Sequence, residues 1–138
     1  MMTQDRFNAE LNVLRRKLGE NIFHFDGMRS VKMAARTNKG NVYTLHMDLC
    51  GFPNAIPKVF VTKMLYSKSG TPLNSVSGPM HTLSSENNWT RICHYGSNAW
   101  TPMVSIYKIY IKCRLWLEMY EAHLETGNNI DYYLKHQS

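Results

Sequence analysis

The apolar residues of this chain change their period twice, and that change confines the fold more than any single motif does. From Thr3 to Leu18, Phe7, Leu11, Leu14 and Leu18 recur at spacings of four, three and four, with Thr3 placed as an N-cap and Gly19 as a stop. This reads as an amphipathic first helix. The period then becomes two: Val31, Met33 and Ala35 alternate with polar or small neighbours, and Tyr43, Leu45, Met47 and Leu49 alternate with Thr44, His46 and Asp48. Two half-buried strands are expected there, joined by a turn over Arg36-Thr37-Asn38-Lys39-Gly40-Asn41, with further strands over Ile22 to Phe25 and Lys58 to Met64. Ser, Gly, Pro and Asn prevail from Ser67 to Pro79, and the chain reads as irregular from there through Cys93.

The helical period returns at Ser105, where Ile106, Ile109, Cys113, Trp116, Leu117, Tyr120 and Leu124 form one stripe that Thr126-Gly127 ends; Pro102 stands just ahead of it. Beyond it, Ile130, Tyr132, Tyr133 and Leu134 are too apolar for a free end and predict a short helical turn or an ordered strap. The 138 residues are one domain's worth. Short links between sequential strands predict an α+β domain spanning 1–138, with an N-terminal helix on one face of a four-stranded antiparallel meander, a cysteine loop and a long C-terminal helix.

Charge and composition exclude more than they select. The formal charge of +6 is spread along the chain, with its densest cluster at Arg15-Arg16-Lys17 on the first helix. A nucleic-acid module is not expected, because Tyr43 and its strand neighbours are accompanied by Thr, His and Asp rather than by interleaved Lys and Arg. No apolar run approaches the roughly 20 residues that cross a bilayer. The charged opening segment lacks the pattern of a secretory signal, and an odd number of cysteines argues against a disulfide framework, so a reducing cytoplasm is the expected compartment. Cys93, His94 and His81 have no recognised metal-ligand spacing, and neither a metal nor a cofactor is expected.

Chemistry concentrates on one thiol. Cys50 ends a strand-like apolar run and Cys113 lies mid-helix on the apolar stripe, whereas Cys93, in Arg91-Ile92-Cys93-His94-Tyr95, sits on a loop ahead of Trp100-Thr101-Pro102 and the helix. A cysteine displayed in this way is a nucleophile candidate, and its thiolate suits thioester chemistry. His81 and His94 are the candidate bases. Adjacent residues of an extended chain point to opposite sides, which weakens His94 as the partner of Cys93. Trp100 and Pro102 are expected to wedge the loop against the helix, and Trp116, Tyr120 and Leu124 to be core.

The order helix, meander, Pro-punctuated Phe52-Pro53-Asn54-Ala55-Ile56-Pro57-Lys58-Val59-Phe60-Val61-Thr62, loop cysteine in Ile92-Cys93, Trp100-Thr101-Pro102 and helix resembles the ubiquitin-conjugating-enzyme family over nearly the whole chain. Within it, Trp116-Leu117-Glu118-Met119-Tyr120-Glu121-Ala122-His123-Leu124-Glu125-Thr126-Gly127 is similar to the bacterial members of antiphage CBASS operons. The resemblance implies a UBC-like fold, with Cys93 taking an acyl group as a thioester and passing it to an amine. It implies as donor the C-terminus of a cGAS-like nucleotidyltransferase, or a ubiquitin-like protein if the pathway is a general bacterial one. It also gives His81 the better claim as the second site residue, and lets the helix face bearing Arg15, Arg16 and Lys17 dock the upstream partner.

The family's His-Pro-Asn motif is replaced by His81-Thr82-Leu83, which leaves Asn87, Asn88 or backbone N–H groups as donors to an oxyanion. With neither a Gly-rich phosphate loop nor a dinucleotide fingerprint, the chain requires a separate activating enzyme or a pre-activated donor. A catalytically inactive domain of the same fold that binds such a partner is the competing expectation.

Overall fold

In a computed structural model, which describes residues 1–135, the first helix starts where the sequence marks it. The Thr3 hydroxyl accepts the Arg6 N–H at 3.1 Å, and α1 runs Gln4–Lys17 before Gly19 turns the chain away in the left-handed region at φ +82°. Leu14 is fully buried, with Phe7 and Leu18 packed beside the core.

The alternating segments become β1 (Phe23–Asp26), β2 (Ser30–Arg36), β3 (Val42–Asp48) and β4 (Lys58–Val61), an antiparallel meander as expected. The sheet does not stop at four strands. The stretch expected to be irregular up to the cysteine forms a hairpin, β5 (Thr82–Glu86) and β6 (Trp89–Ile92), and the six strands are ordered β1-β2-β3-β4-β6-β5. Asn87 and Asn88 turn that hairpin with φ of +55° and +59°, the doubly left-handed conformation that tight hairpins favour and that Asn tolerates. β6 lies against β4 with Val59 opposite Ile92 and Val61 opposite Thr90.

After Ser105, whose hydroxyl accepts the Lys108 N–H, α2 runs Ile106–Thr126 and ends on Gly127 at φ +81°. Ile106, Ile109, Cys113, Trp116 and Leu117 of its stripe share one core with Met33, Leu45 and Met47 of the sheet and Leu14 of α1. Leu124 departs from the expected stripe. It is 39% exposed, whereas Glu121 and His123 beside it are buried and bond Tyr43 and the Lys68 N–H, so the last turns present that face inward instead. The tail forms α3 (Ile130–Lys135), anchored by a fully buried Ile130. Among the described residues no helix is long and apolar enough to cross a membrane.

The start of α2 is pinned by α1. Glu10, 5% exposed, accepts the Ile106 N–H at 2.8 Å through one carboxylate oxygen and the Arg6 Nε–H at 2.9 Å through the other. The guanidinium of Arg6 donates onward to the Pro102 and Val104 carbonyls at 2.7 and 3.0 Å, so one ion pair ties α1, the cysteine loop and the N-terminus of α2. Glu10→Ala should therefore destabilise the fold by about 3 kcal/mol, the scale of breaking a buried pair from one side, while Glu10→Gln, which still offers an acceptor to Ile106, should cost less. Denaturant melts of the two variants check this, and equal stability of Glu10→Ala and wild type would remove Glu10 from the role.

Candidate active site

Cys93 is the first residue past β6, and the hairpin register that puts Thr82 opposite Ile92 brings His81 opposite Cys93. The Cys93 N–H donates to the His81 carbonyl at 2.9 Å. His81 holds a left-handed backbone, φ +51°, which is uncommon for a residue with a side chain; Trp116 fixes the preceding residue by donating its indole N–H to the Met80 carbonyl at 3.0 Å. The thiol and the imidazole thus line the same cavity, of about 550 Å³.

A third residue joins them. The His81 Nε2 lies 3.1 Å from Asp131 Oδ1 at the start of α3, while the Asp131 N–H bonds the Pro79 carbonyl at 2.8 Å and Lys135 Nζ reaches Oδ2 at 2.9 Å. Lys135 first and His81 second hold the Asp131 carboxyl below the usual carboxylate range. With Nε2–H donated to this carboxylate, Nδ1 is the His81 nitrogen left for proton exchange. A cysteine and a carboxylate-paired histidine therefore line one cavity, joined to each other through the Cys93 N–H and the His81 carbonyl. The sequence offered little sign of Asp131: it follows Gly127 as one acid among polar residues, fifty positions from His81.

The other candidates have other roles. His94 donates Nε2–H to the Pro57 carbonyl at 2.8 Å, and its Nδ1 is buried without a partner. Burial pushes the His94 imidazole down to about 4 against the opposing pull of that carbonyl, so at neutral pH it is an uncharged brace between the cysteine loop and the start of β4. Asn87 and Asn88 occupy the tip of the β5–β6 hairpin, a strand's length, roughly 15 Å, from Cys93, and are not oxyanion donors. Trp100 fastens the loop to the segment between β3 and β4 rather than to the helix expected: its indole N–H donates to the Pro53 carbonyl at 3.1 Å and its ring meets Phe52 and, within the loop, Tyr95 edge-on.

Of the cysteines, Cys113 is fully buried and its thiol is pushed far up by desolvation. Cys50 is not on an apolar face as expected but exposed, just past β3; the Asp48 carboxylate, through a hydrogen bond, pushes its thiol up. The alternation of β3 runs on past Asp48: Leu49 is fully buried with Tyr43, Leu45 and Met47, and Cys50 falls on the outer face with His46 and Asp48.

Compared with protein-family models, with curated proteins and with solved structures, the chain matches none.

Two expectations follow. A limiting alkylating reagent on the native protein should label Cys93 first and Cys50 slowly, leave Cys113 unmodified, and label Cys50 faster in Asp48→Asn. Peptide mapping by mass spectrometry reads the order, and Cys113 reacting before Cys93 would overturn the assignment. For His94, the folded value lies below the ordinary one near 6.5, so the unfolded chain binds more protons between about pH 6.5 and 4. Its contribution to stability is complete above that window and is lost as pH falls through it. His94→Gln should accordingly flatten the acid limb of stability by up to one proton, measured as denaturant midpoints from pH 7 to 4; an unchanged slope refutes the neutral, buried assignment.

Proposed function

We propose that this protein is a cysteine-dependent conjugating enzyme with a UBC-like fold, carrying an acyl group as a Cys93 thioester and transferring it to an amine. The observation that carries the reading is the partly exposed Cys93 opposite a carboxylate-paired His81 in one cavity. The motif order of the sequence, from the Pro-punctuated segment through Ile92-Cys93 to Trp100-Thr101-Pro102, supports the same family. Its similarity to the CBASS branch favours the C-terminus of a cGAS-like nucleotidyltransferase as donor, in bacterial antiphage defence.

In this reading a separate activating enzyme delivers the donor carboxyl as an adenylate or thioester. The Cys93 sulfur attacks that carbonyl, a C–S bond forms and the activating group leaves. An amine then attacks the thioester, a C–N bond forms, the C–S bond breaks, and the amine proton passes to His81 Nδ1, whose imidazolium Asp131 stabilises. Loss of a positioned base costs roughly 10²-fold or more in such steps.

The test is co-expression with the candidate donor and activating enzyme, followed by reducing and non-reducing gels. Wild type should give a conjugate that reducing agent removes, Cys93→Ser a base-labile ester, Cys93→Lys a linkage that resists both, and Cys93→Ala none. His81→Ala and Asp131→Asn should load but discharge slowly, with melting temperatures near wild type marking a chemical rather than a bracing role. Conjugation that persists in Cys93→Ala would refute the nucleophile and leave a partner-binding domain.

A further inference from the structure

The cavity beside Cys93 is built unevenly. Its lining joins polar groups, Cys93 and His81 among them, to an apolar set, Leu115, Trp116 and Met119 of α2 and Leu134 of α3. The one ammonium group on its wall, Lys112, lies 3.8 Å above the ring of Tyr95. Leu115 and Leu134 are 42% and 37% exposed, so the cavity presents apolar surface that a bound group would cover.

We infer that this apolar wall is a specificity pocket for the chain behind the reacting carbonyl, and that the donor is a peptide C-terminus with a bulky apolar side chain at the second or third residue from that carbonyl. The inference rests on the conjugating-enzyme reading. Its occupant follows from continuity: whatever is joined to the Cys93 sulfur must leave through the cavity that the thiol lines. A cavity of about 550 Å³ is on the order of 10 Å across, the length of about three residues of extended chain at roughly 3.3 Å each, so the residues next to the reacting carbonyl share it with the leucines. An apolar side chain there is removed from water together with Leu115 and Leu134. A carboxylate would lose its hydration against four apolar side chains, and a lysine or arginine would in addition meet the like charge of Lys112.

Small peptide thioesters test this without an activating enzyme. The Cys93 sulfur attacks the thioester carbonyl, the new C–S bond forms, the old one breaks and the small thiol departs with a proton. A series of tetrapeptide thioesters with glycine at the reacting carbonyl and Leu, Phe, Asp or Lys at the second or third position is incubated with the full chain, and Cys93 acylation is followed by intact mass. Leu and Phe peptides should load roughly tenfold faster or more than Asp and Lys peptides, the discrimination that a pocket of this kind gives. Leu115→Gln and Leu134→Asp, both at partly exposed positions, should each bring that ratio towards one while melting near wild type.

Equal rates across the wild-type series would overturn the pocket and leave the thioester reading standing. Faster loading from a long-chain acyl-CoA than from any peptide would overturn the peptide occupant in favour of a lipid chain. Failure of every thioester to acylate Cys93, with Cys93 still open to a small alkylating reagent, would overturn the conjugating-enzyme reading itself.

Discussion

Everything at the site depends on one non-local strand pairing, that of β6 with β4. It joins segments about thirty residues apart, with Val59 opposite Ile92, Phe60 opposite Arg91 and Val61 opposite Thr90. At one end of it the fully buried Thr90 hydroxyl accepts the Leu65 N–H at 2.9 Å and donates to the Leu73 carbonyl at 3.0 Å. One side chain thus fastens the long connection between β4 and β5 onto the sheet, and the two backbone groups it serves would otherwise be buried without partners. The hairpin held in this way ends at His81 and Cys93.

The helices then fix what the sheet brings together. α2 reaches back to the hairpin through Trp116 and to the segment after β4 through Tyr120, whose hydroxyl donates to the Tyr66 carbonyl at 2.7 Å. The Trp116 and Tyr120 rings stack at 5.5 Å, which stiffens the wall behind the cavity. At its other end α2 carries the cysteine loop, and the Arg6–Glu10 pair of α1 holds both the loop carbonyls and the first helical N–H. α3 closes the arrangement, because the buried Ile130 seats it and Asp131 beside it meets His81.

Two histidines near one cysteine have opposite electrostatic fates. His94 is buried against a carbonyl and two cations, Lys112 and Arg91, and the low-dielectric surroundings keep it neutral. His81 instead holds its Nε2 3.1 Å from the Asp131 carboxylate. The first braces a backbone carbonyl and the second meets an acid, although the sequence presents both as histidines close to a thiol.

Local rules were written plainly enough to be read from the residues. Thr3, Ser105 and Gly127 cap helices because their side chains or backbone freedom satisfy helix ends, and the alternation in β2 and β3 reports one buried face. Cys93 stood out in the sequence as the nucleophile candidate from its place ahead of Trp100-Thr101-Pro102, whereas the exposure of Cys50 did not. The β5–β6 hairpin was hidden because Thr82-Leu83-Ser84-Ser85-Glu86 and Trp89-Thr90-Arg91-Ile92 are short and lack apolar alternation, and because the Asn87-Asn88 turn carries no glycine. The meeting of Cys93, His81 and Asp131 was decided by the tertiary structure alone. Strand register and the docking of α3 are set by contacts between residues far apart in sequence, and no local propensity specifies which distant partner a side chain will meet.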